Sequence, residues 1–132
     1  MKYLLLIHSN PENWGHPTFL RTAAALAMSS EERAELSREF ETLLTEIVES
    51  GELVTAEALP DPAQTRTVRV RDGVPAVTDG PFVEAKEQFA GYFVVDCESL
   101  ERATEIAARF PDTRFGGAVE VRALMERSGQ EM

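Results

Sequence analysis

Apolar residues recur along the chain in two periods, and their order predicts an α+β protein. Residues 3–7 form an unbroken apolar run, as in a central strand covered on both faces. Further strand-like runs occur at residues 53–59, 89–94 and 119–124. Two stretches between the strands repeat apolar residues at helical spacing. This order places two helices on one face of a mainly antiparallel sheet.

Both predicted helices carry end signals in the sequence. Ser29 and Glu32 have the spacing of a capping box, and Gly51 supplies a stop for the first helix. Ser99 can cap the second helix, which Pro111 ends. The apolar stripe of the first helix comprises Leu36, Phe40, Leu43, Leu44 and Ile47, and that of the second comprises Leu100, Ala103, Ile106, Ala107 and Phe110.

A β-hairpin is predicted between the second and third long strands. Its arms, residues 67–71 and 74–78, flank the dipeptide Asp72-Gly73, a strong signal for a two-residue turn. Pro75 lacks a backbone donor, so the second arm is expected at the edge of a sheet.

Length and charge limit the classes of protein. The chain has 132 residues, enough for one domain with one core, expected over residues 1–125 with a long loop insertion at about 9–28 and a polar tail at 126–132. A net charge of −10 would repel nucleic acid and anionic membranes. A single cysteine, Cys97, forms no internal disulfide, and the first apolar run is short for a signal sequence. A cytoplasmic protein is expected.

The span from residue 78 to residue 93 combines turn formers, charges and the start of a strand. It reads Thr-Asp-Gly-Pro-Phe-Val-Glu-Ala-Lys-Glu-Gln-Phe-Ala-Gly-Tyr-Phe. The Asp-Gly-Pro-Phe turn, the Glu-x-Lys-Glu run and the Gly-Tyr pair resemble the signature of the DGPF branch of the YCII-related proteins. Residues 67–73 and 119–122 are also similar to that family. The resemblance covers nearly all of the chain outside residues 10–28.

This resemblance implies a fold and an assembly. The fold is a ferredoxin-like βαββαβ arrangement with an extra β-hairpin, and two copies pair through their sheets as a homodimer of the dimeric α+β barrel type. The family also implies a cavity and a frequent genetic association with extracytoplasmic-function sigma factors.

Seven residues are candidates for a site in such a cavity. A histidine can act as acid or base near neutral pH, so His8 is a candidate, and Glu57 or Asp79 could be its partner or a second proton carrier. These three are the catalytic candidates, and the expected ligand contacts are Trp14, His16, Tyr92 and Arg122. Each catalytic candidate also has a structural interpretation: His8 ends a strand, Glu57 pairs with Arg122, and Asp79 caps its own turn.

Other chemistries find less support in the residue types. The chain contains no phosphate loop, dinucleotide fingerprint or nucleophile elbow. His8 and His16, with Glu12 nearby, match no standard metal spacing, so neither a metal nor a cofactor is predicted. Cys97 follows an apolar strand and is expected to be a buried, inert thiol.

Two functional classes stay open. In the first, the protein binds a small polar or anionic metabolite in the cavity, with or without general acid/base catalysis of a lyase or isomerase type. In the second, it is a noncatalytic regulatory or interaction protein linked to an extracytoplasmic-function sigma factor. The sequence does not decide whether the protein is an enzyme.

Overall fold

The structure is a computed structural model that describes residues 1–83 and 85–125. The predicted polar tail at residues 126–132 lies outside the described residues. The described strands and α-helices are β1 (Lys2–Ser9), α1 (Ala23–Leu26), α2 (Ser30–Glu49), β2 (Leu53–Ala58), β3 (Arg66–Arg71), β4 (Val74–Asp79), β5 (Gln88–Asp96), α3 (Leu100–Ala108) and β6 (Ala118–Ala123). Three short 3₁₀ turns span Thr18–Arg21, Pro62–Gln64 and Pro111–Arg114.

The strands form two separate sheets. Four of them make one antiparallel sheet in the order β2-β5-β1-β6, and β3 pairs only with β4. With α2 after β1 and α3 after β5, this is the ferredoxin-like α+β arrangement with an added hairpin, as predicted. Asp72 and Gly73 both adopt positive φ angles, 51° and 77°, which a type I′ hairpin turn requires.

The hydrophobic core lies between the sheet and two helices. Alternate residues of β1 point into it, and they pack with α2 and α3 through Leu43, Ile47 and Ile106. The buried residues of β1 are Tyr3, Leu5, Ile7 and Ser9. Burial of each large apolar side chain contributes about 1.5 to 3 kcal/mol, so this face organises the domain. No helix within residues 1–83 and 85–125 is long and apolar enough to cross a membrane.

The predicted helix ends are confirmed. The backbone N–H of Glu32 donates to Ser29 Oγ, and the N–H of Ser29 donates to Glu32 Oε1, both at 3.1 Å. Ser99 Oγ accepts from the N–H of Arg102 at 3.1 Å. One apolar position differs from the prediction, because Leu100 is 51% exposed and lies outside the core.

The second face of the main sheet carries no helix from the described part of the chain. It presents Leu4 and Leu6 from β1 and their partners Val94 and Tyr92 from β5, all half-buried, and these four residues are called the open face here. The central strand was predicted to be covered on both faces. Within one protomer it is covered on one, because α2 and α3 pack on the same side.

Two β-bulges shift the predicted faces. In β5, His8 pairs with Phe89 and Ile7 pairs with Gly91, so Ala90 is an extra residue and is buried. In β2, Leu53 pairs with Val95 but Thr55 pairs with Val94. The strand therefore changes phase after Leu53. Glu57, expected on the same face as Leu53, lies on the opposite one, beside Tyr92.

An ion-pair network joins α3 to the end of α2 and the start of β2. The guanidinium of Arg102 contacts both carboxylate oxygens of Glu52 at 2.9 Å and Oε2 of Glu46 at 3.0 Å. Arg109 contacts Glu46 at 2.7 Å. Hydrogen bonds from Arg102 lower the pKa of Glu52. Because Arg102 and Glu52 are mostly shielded from solvent, this bidentate pair is stronger than an exposed one.

We therefore expect Arg102→Ala to lower the free energy of unfolding by about 2 kcal/mol, since it leaves Glu52 partly buried and unpaired. Chemical denaturation at neutral pH measures this difference. Arg38→Ala is the matched control, because Arg38 pairs with Glu35 on an exposed helix surface and should contribute under about 0.5 kcal/mol. Equal effects of the two substitutions would show that the network does not hold the elements together.

Candidate functional site

A cavity of 540 Å³ lies on the helix side of the sheet, between α2 and the β2 edge. Its other boundaries are the 3₁₀ turns Thr18–Arg21 and Pro111–Arg114. Four phenylalanines contribute to its wall and pack edge to face in series at centroid distances of 4.9 to 5.5 Å: Phe19, Phe40, Phe110 and Phe93. This helix-side cavity has the size and apolar wall of a small-molecule site.

Gly91 shapes the sheet side of the helix-side cavity. A Cβ atom at this position would lie 2.6 Å from the carbonyl oxygen of Glu57. β2 therefore approaches β5 closely here only because residue 91 has no side chain. The Gly-Tyr pair of the sequence signature thus has a structural role at the cavity wall.

A buried carboxyl group lies at the wall of the helix-side cavity. Asp112, in the turn Pro111–Arg114, is only 4% exposed. The hydroxyl of Thr18 donates a hydrogen bond to Asp112 Oδ2 at 3.3 Å. Burial raises the pKa of Asp112 to about 6, although its own backbone N–H, the Thr18 hydroxyl and the charge of His16 act in the lowering direction. A carboxyl group with this pKa can both release and accept a proton near neutral pH.

His16 lies at the mouth of the same cavity and is held by the loop that precedes it. Its Nε2 atom is 2.7 Å from the carbonyl oxygen of Leu59, to which the indole N–H of Trp14 also donates at 3.0 Å. The two rings pack edge to face at 5.8 Å. Since a carbonyl oxygen only accepts, Nε2 must carry a proton. In the neutral ring, Nδ1 is then left as an acceptor.

The cavity thus combines an apolar wall with Asp112 and His16, and Glu41 and Glu57 also line it. Asp112 lies at its buried side and His16 at its exposed side, and the charge of His16 acts on Asp112. Such an arrangement can hold an apolar molecule and exchange a proton with it. His16, Thr18 and Asp112 belong to three separate segments, namely the loop before α1, the turn Thr18–Arg21 and the turn after α3.

The structure places His8 away from this cavity. His8 Nε2 lies 2.6 Å from Glu120 Oε1, an ion-pair distance, but the two groups are not aligned as a hydrogen bond. The imidazole ring also packs near Phe89, at a centroid distance of 5.8 Å. His8 and Phe89 line a second cavity of 760 Å³, bounded on its other side by residues 65–67 and 81–83 and called the hairpin cavity here.

The other catalytic candidates are dispersed. Glu57 stands beside Tyr92 but is separated from His8 by the intervening strand β5, about 10 Å between strands. Glu57 and His8 line different cavities. Arg122 lies opposite Leu4 in β6, at the other edge of the sheet from Glu57, so the alternative Glu57–Arg122 pair does not form. Asp79 lies in the separate hairpin.

The signature turn is held by different groups from those expected. Among residues 1–83 and 85–125, the Asp79 carboxylate accepts no hydrogen bond, so the expected capping by its side chain is not seen there. The backbone N–H of Gly80 donates to Thr65 O at 2.7 Å, and the Thr67 hydroxyl donates to Gly80 O at 2.8 Å. Gly80 adopts a φ of 96°, a conformation that favours glycine.

Of the residues predicted for a site, His16 lines the helix-side cavity and Trp14 bonds to the same carbonyl oxygen as His16, whereas Asp112 and Thr18 were not predicted. Neither of the missed residues belongs to a motif or a periodic pattern, and they meet across 94 positions of the chain. The long insertion is a folded part of the domain, since Phe19 is buried among core residues and Trp14 packs against the core. Cys97 is buried as predicted, and burial raises the pKa of its thiol.

The raised pKa of Asp112 makes stability depend on pH with a definite sign. The folded state holds the proton more tightly than the unfolded state, so the favourable contribution is full below about pH 4 and is lost as pH rises through about 6. Asp112→Asn removes this loss. We expect its unfolding free energy, relative to wild type, to improve by about 3 kcal/mol between about pH 4 and pH 7.

Urea denaturation of both proteins across this pH range tests the prediction. Thr18→Val serves as a second variant, because it removes a hydrogen bond to the ionised carboxylate and should steepen the pH dependence. A difference between Asp112→Asn and wild type that stays constant with pH would mean that Asp112 titrates like an exposed carboxyl group.

Comparison with known proteins assigns the chain to a family. A family model described as YCII-related domain matches residues 1–128. An uncharacterized protein of Rhizobium meliloti (strain 1021) is 34% identical over 99 residues, which span 74% of this chain and 80% of that protein. The match to the family model includes all the residues that line the helix-side cavity and the whole hairpin.

Proposed function

This chain belongs to the YCII-related family, and we propose that it binds a small, largely apolar molecule in the helix-side cavity and exchanges a proton with it through Asp112. The observation that carries the proposal is one buried carboxyl group, with a pKa of about 6, at the wall of a cavity lined by phenylalanines. Packing alone does not require an ionisable group at that point.

The reaction class that suits this geometry is proton transfer at one atom of the ligand, as in an isomerase or a lyase. A carboxyl group with a pKa near the working pH can act as acid or base, and the apolar wall keeps water from competing for the proton. When the His16 ring is neutral, its Nδ1 is a second acceptor at the mouth. His16 is therefore proposed to orient a polar group of the ligand and Asp112 to carry the proton.

The ionisable side chains around the cavity favour a neutral or positively charged ligand over an anion. Glu41, Glu57 and Asp112 are the acidic residues that line it and His16 is the basic one, in a chain with a net charge of −10. A carboxylate ligand would face Asp112 without an arginine or lysine among the residues that line the cavity. A neutral molecule or an amine fits better than the anionic metabolite expected from the sequence.

A matched series of benzyl compounds tests this proposal. We expect benzylamine and benzyl alcohol to bind more tightly than benzoate by about tenfold, because the ring suits the phenylalanine wall while the carboxylate is repelled. NMR titration of the amide signals of Gly91, Phe40 and Asp112 locates the ligand. Ala56→Phe should abolish binding by filling the cavity, whereas Ala24→Phe, on the exposed side of α1, should not.

Several results would contradict the proposal. Equal binding to both phenylalanine variants would place the ligand outside this cavity. Tightest binding of benzoate would contradict the charge argument. No binding in the whole series, together with a stable complex with an extracytoplasmic-function sigma factor, would favour the noncatalytic alternative.

We also propose that two copies associate through their open faces. The uncovered Leu4, Leu6, Tyr92 and Val94 form the centre of the sheet, and apolar surface of this kind is stabilised by removal from water. Glu57, Glu120 and Arg122 surround it and supply a polar margin. A two-fold axis would place the same surface on both sides of the interface.

Val94→Asp should convert the protein to a monomer, because it places a carboxylate in the centre of the proposed interface. Val48→Asp is the matched control, since Val48 is exposed on α2, away from the sheet. Light scattering coupled to size-exclusion chromatography measures the mass, and circular dichroism verifies the fold. A wild-type monomer at micromolar concentration, or a dimeric Val94→Asp, would refute this assembly.

A further inference from the structure

The β3–β4 hairpin is isolated within the described part of the protomer. Neither arm makes extensive contact with another helix or strand, and β3 pairs only with β4. A two-stranded ribbon alone is marginally stable in water. Its valines are nevertheless exposed by more than half: Val68, Val70, Val74 and Val77. This hairpin therefore has the features of an arm that packs on something outside its own protomer.

The two faces of the hairpin differ in chemistry. Cross-strand pairing places Val68 opposite Val77 and Val70 opposite Pro75, and these four residues are called the valine face here. The opposite face carries Arg69 and Arg71. That second face turns toward its own signature loop, because the Arg69 guanidinium lies 5.7 Å from the centre of the Phe82 ring and the Thr67 hydroxyl bonds to Gly80. The three valines of the valine face are exposed by more than half.

The hairpin stands at one end of the open face, on the same side of the sheet. The hairpin cavity shows this, because its wall includes Thr65, Arg66 and Thr67 at the hairpin base together with His8 and Phe89. His8 continues the row of Leu4 and Leu6 in β1. A molecule that docks on the open face therefore meets the hairpin as well.

Position indicates a second copy of this chain as the occupant, because a copy that covers the open face also reaches the hairpin at its end. The valine face also carries Arg66 and Asp79, one charge of each sign, so it adds no net charge to a contact between two copies that each carry −10. Arg69 and Arg71 lie on the opposite face. The open face beside it is uncovered in the same way on both copies.

We infer that the hairpin is a clasp that packs its valine face on the body of a second copy of the chain. This inference rests on the proposed dimer through the open faces and adds a second, peripheral contact to it. In a two-fold pair each hairpin extends from the His8 end of its own sheet and contacts the partner reciprocally. The arm gains the apolar cover that its own protomer does not give it.

Two aspartate substitutions near the hairpin tip separate its faces. Val70 is 67% exposed on the valine face, and Val74 is 64% exposed on the opposite face. We expect Val70→Asp to raise the dimer dissociation constant by about tenfold or more, and Val74→Asp to change it by less than about threefold. Sedimentation velocity over a dilution series measures both constants.

Hydrogen exchange gives a second readout that needs no substitution. Protection of the β3 and β4 amides in the wild-type protein should rise with protein concentration across the dimerisation range, whereas protection of the α2 amides should change little. Hairpin exchange that is independent of concentration in a dimer would overturn the clasp. This control also covers the case in which Val70→Asp unfolds the hairpin.

The outcomes distinguish the clasp from the dimer itself. A dimer that Val94→Asp dissociates, but that Val70→Asp and Val74→Asp affect equally, would reject the clasp and keep the open-face interface. A wild-type monomer would reject both. Greater weakening by Val70→Asp than by Val74→Asp, together with concentration-dependent protection, would support the clasp.

Discussion

The main sheet has two faces, and the described part of the chain supplies helices for only one of them. The buried residues of β1, Tyr3, Leu5 and Ile7, meet α2 and α3, and this contact forms the hydrophobic core. Both long helices, α2 and α3, pack on this side of the sheet. Leu4 and Leu6 are therefore left on the open face, and the valines of the hairpin are left exposed. The proposed dimer and the proposed clasp are both consequences of the same shortage of cover.

The helix-side cavity follows from the same packing. The phenylalanine series fills the space between sheet and helices near Phe93 and Phe110. The helix-side cavity is the unfilled space next to it, between α2 and the β2 edge. The turns Thr18–Arg21 and Pro111–Arg114 meet there and bring Thr18 to Asp112. Since these turns also bury Phe19 and Phe110, the core positions the polar groups of the site.

Local features of the fold could be predicted because their causes are local. A capping box needs two residues three positions apart, and a type I′ turn needs two residues that tolerate positive φ. Ser29, Glu32, Asp72 and Gly73 meet these requirements, so the helix start and the hairpin were predictable. The apolar stripe of α2 likewise predicted which of its residues are buried.

The faces of β2 and β5 could not be predicted in the same way. One extra residue in a strand inverts every side chain beyond it, and a bulge depends on the neighbouring strand. Val54 and Ala90 are the extra residues here, and the first of them moved Glu57 to the face opposite Leu53. Asp112 was missed for a related reason. Its burial results from the meeting of two turns that are distant in sequence.

The burial of Asp112 has a cost in stability at neutral pH. An ionised carboxylate at a site that is 4% exposed costs stability at neutral pH, and a shift of its pKa to about 6 corresponds to about 3 kcal/mol. One hydrogen bond from Thr18 offsets only part of this cost. An asparagine would accept the same hydrogen bond and occupy the same volume without the cost of a buried charge. What asparagine lacks is an exchangeable proton, and that is the property on which the proposed proton transfer depends.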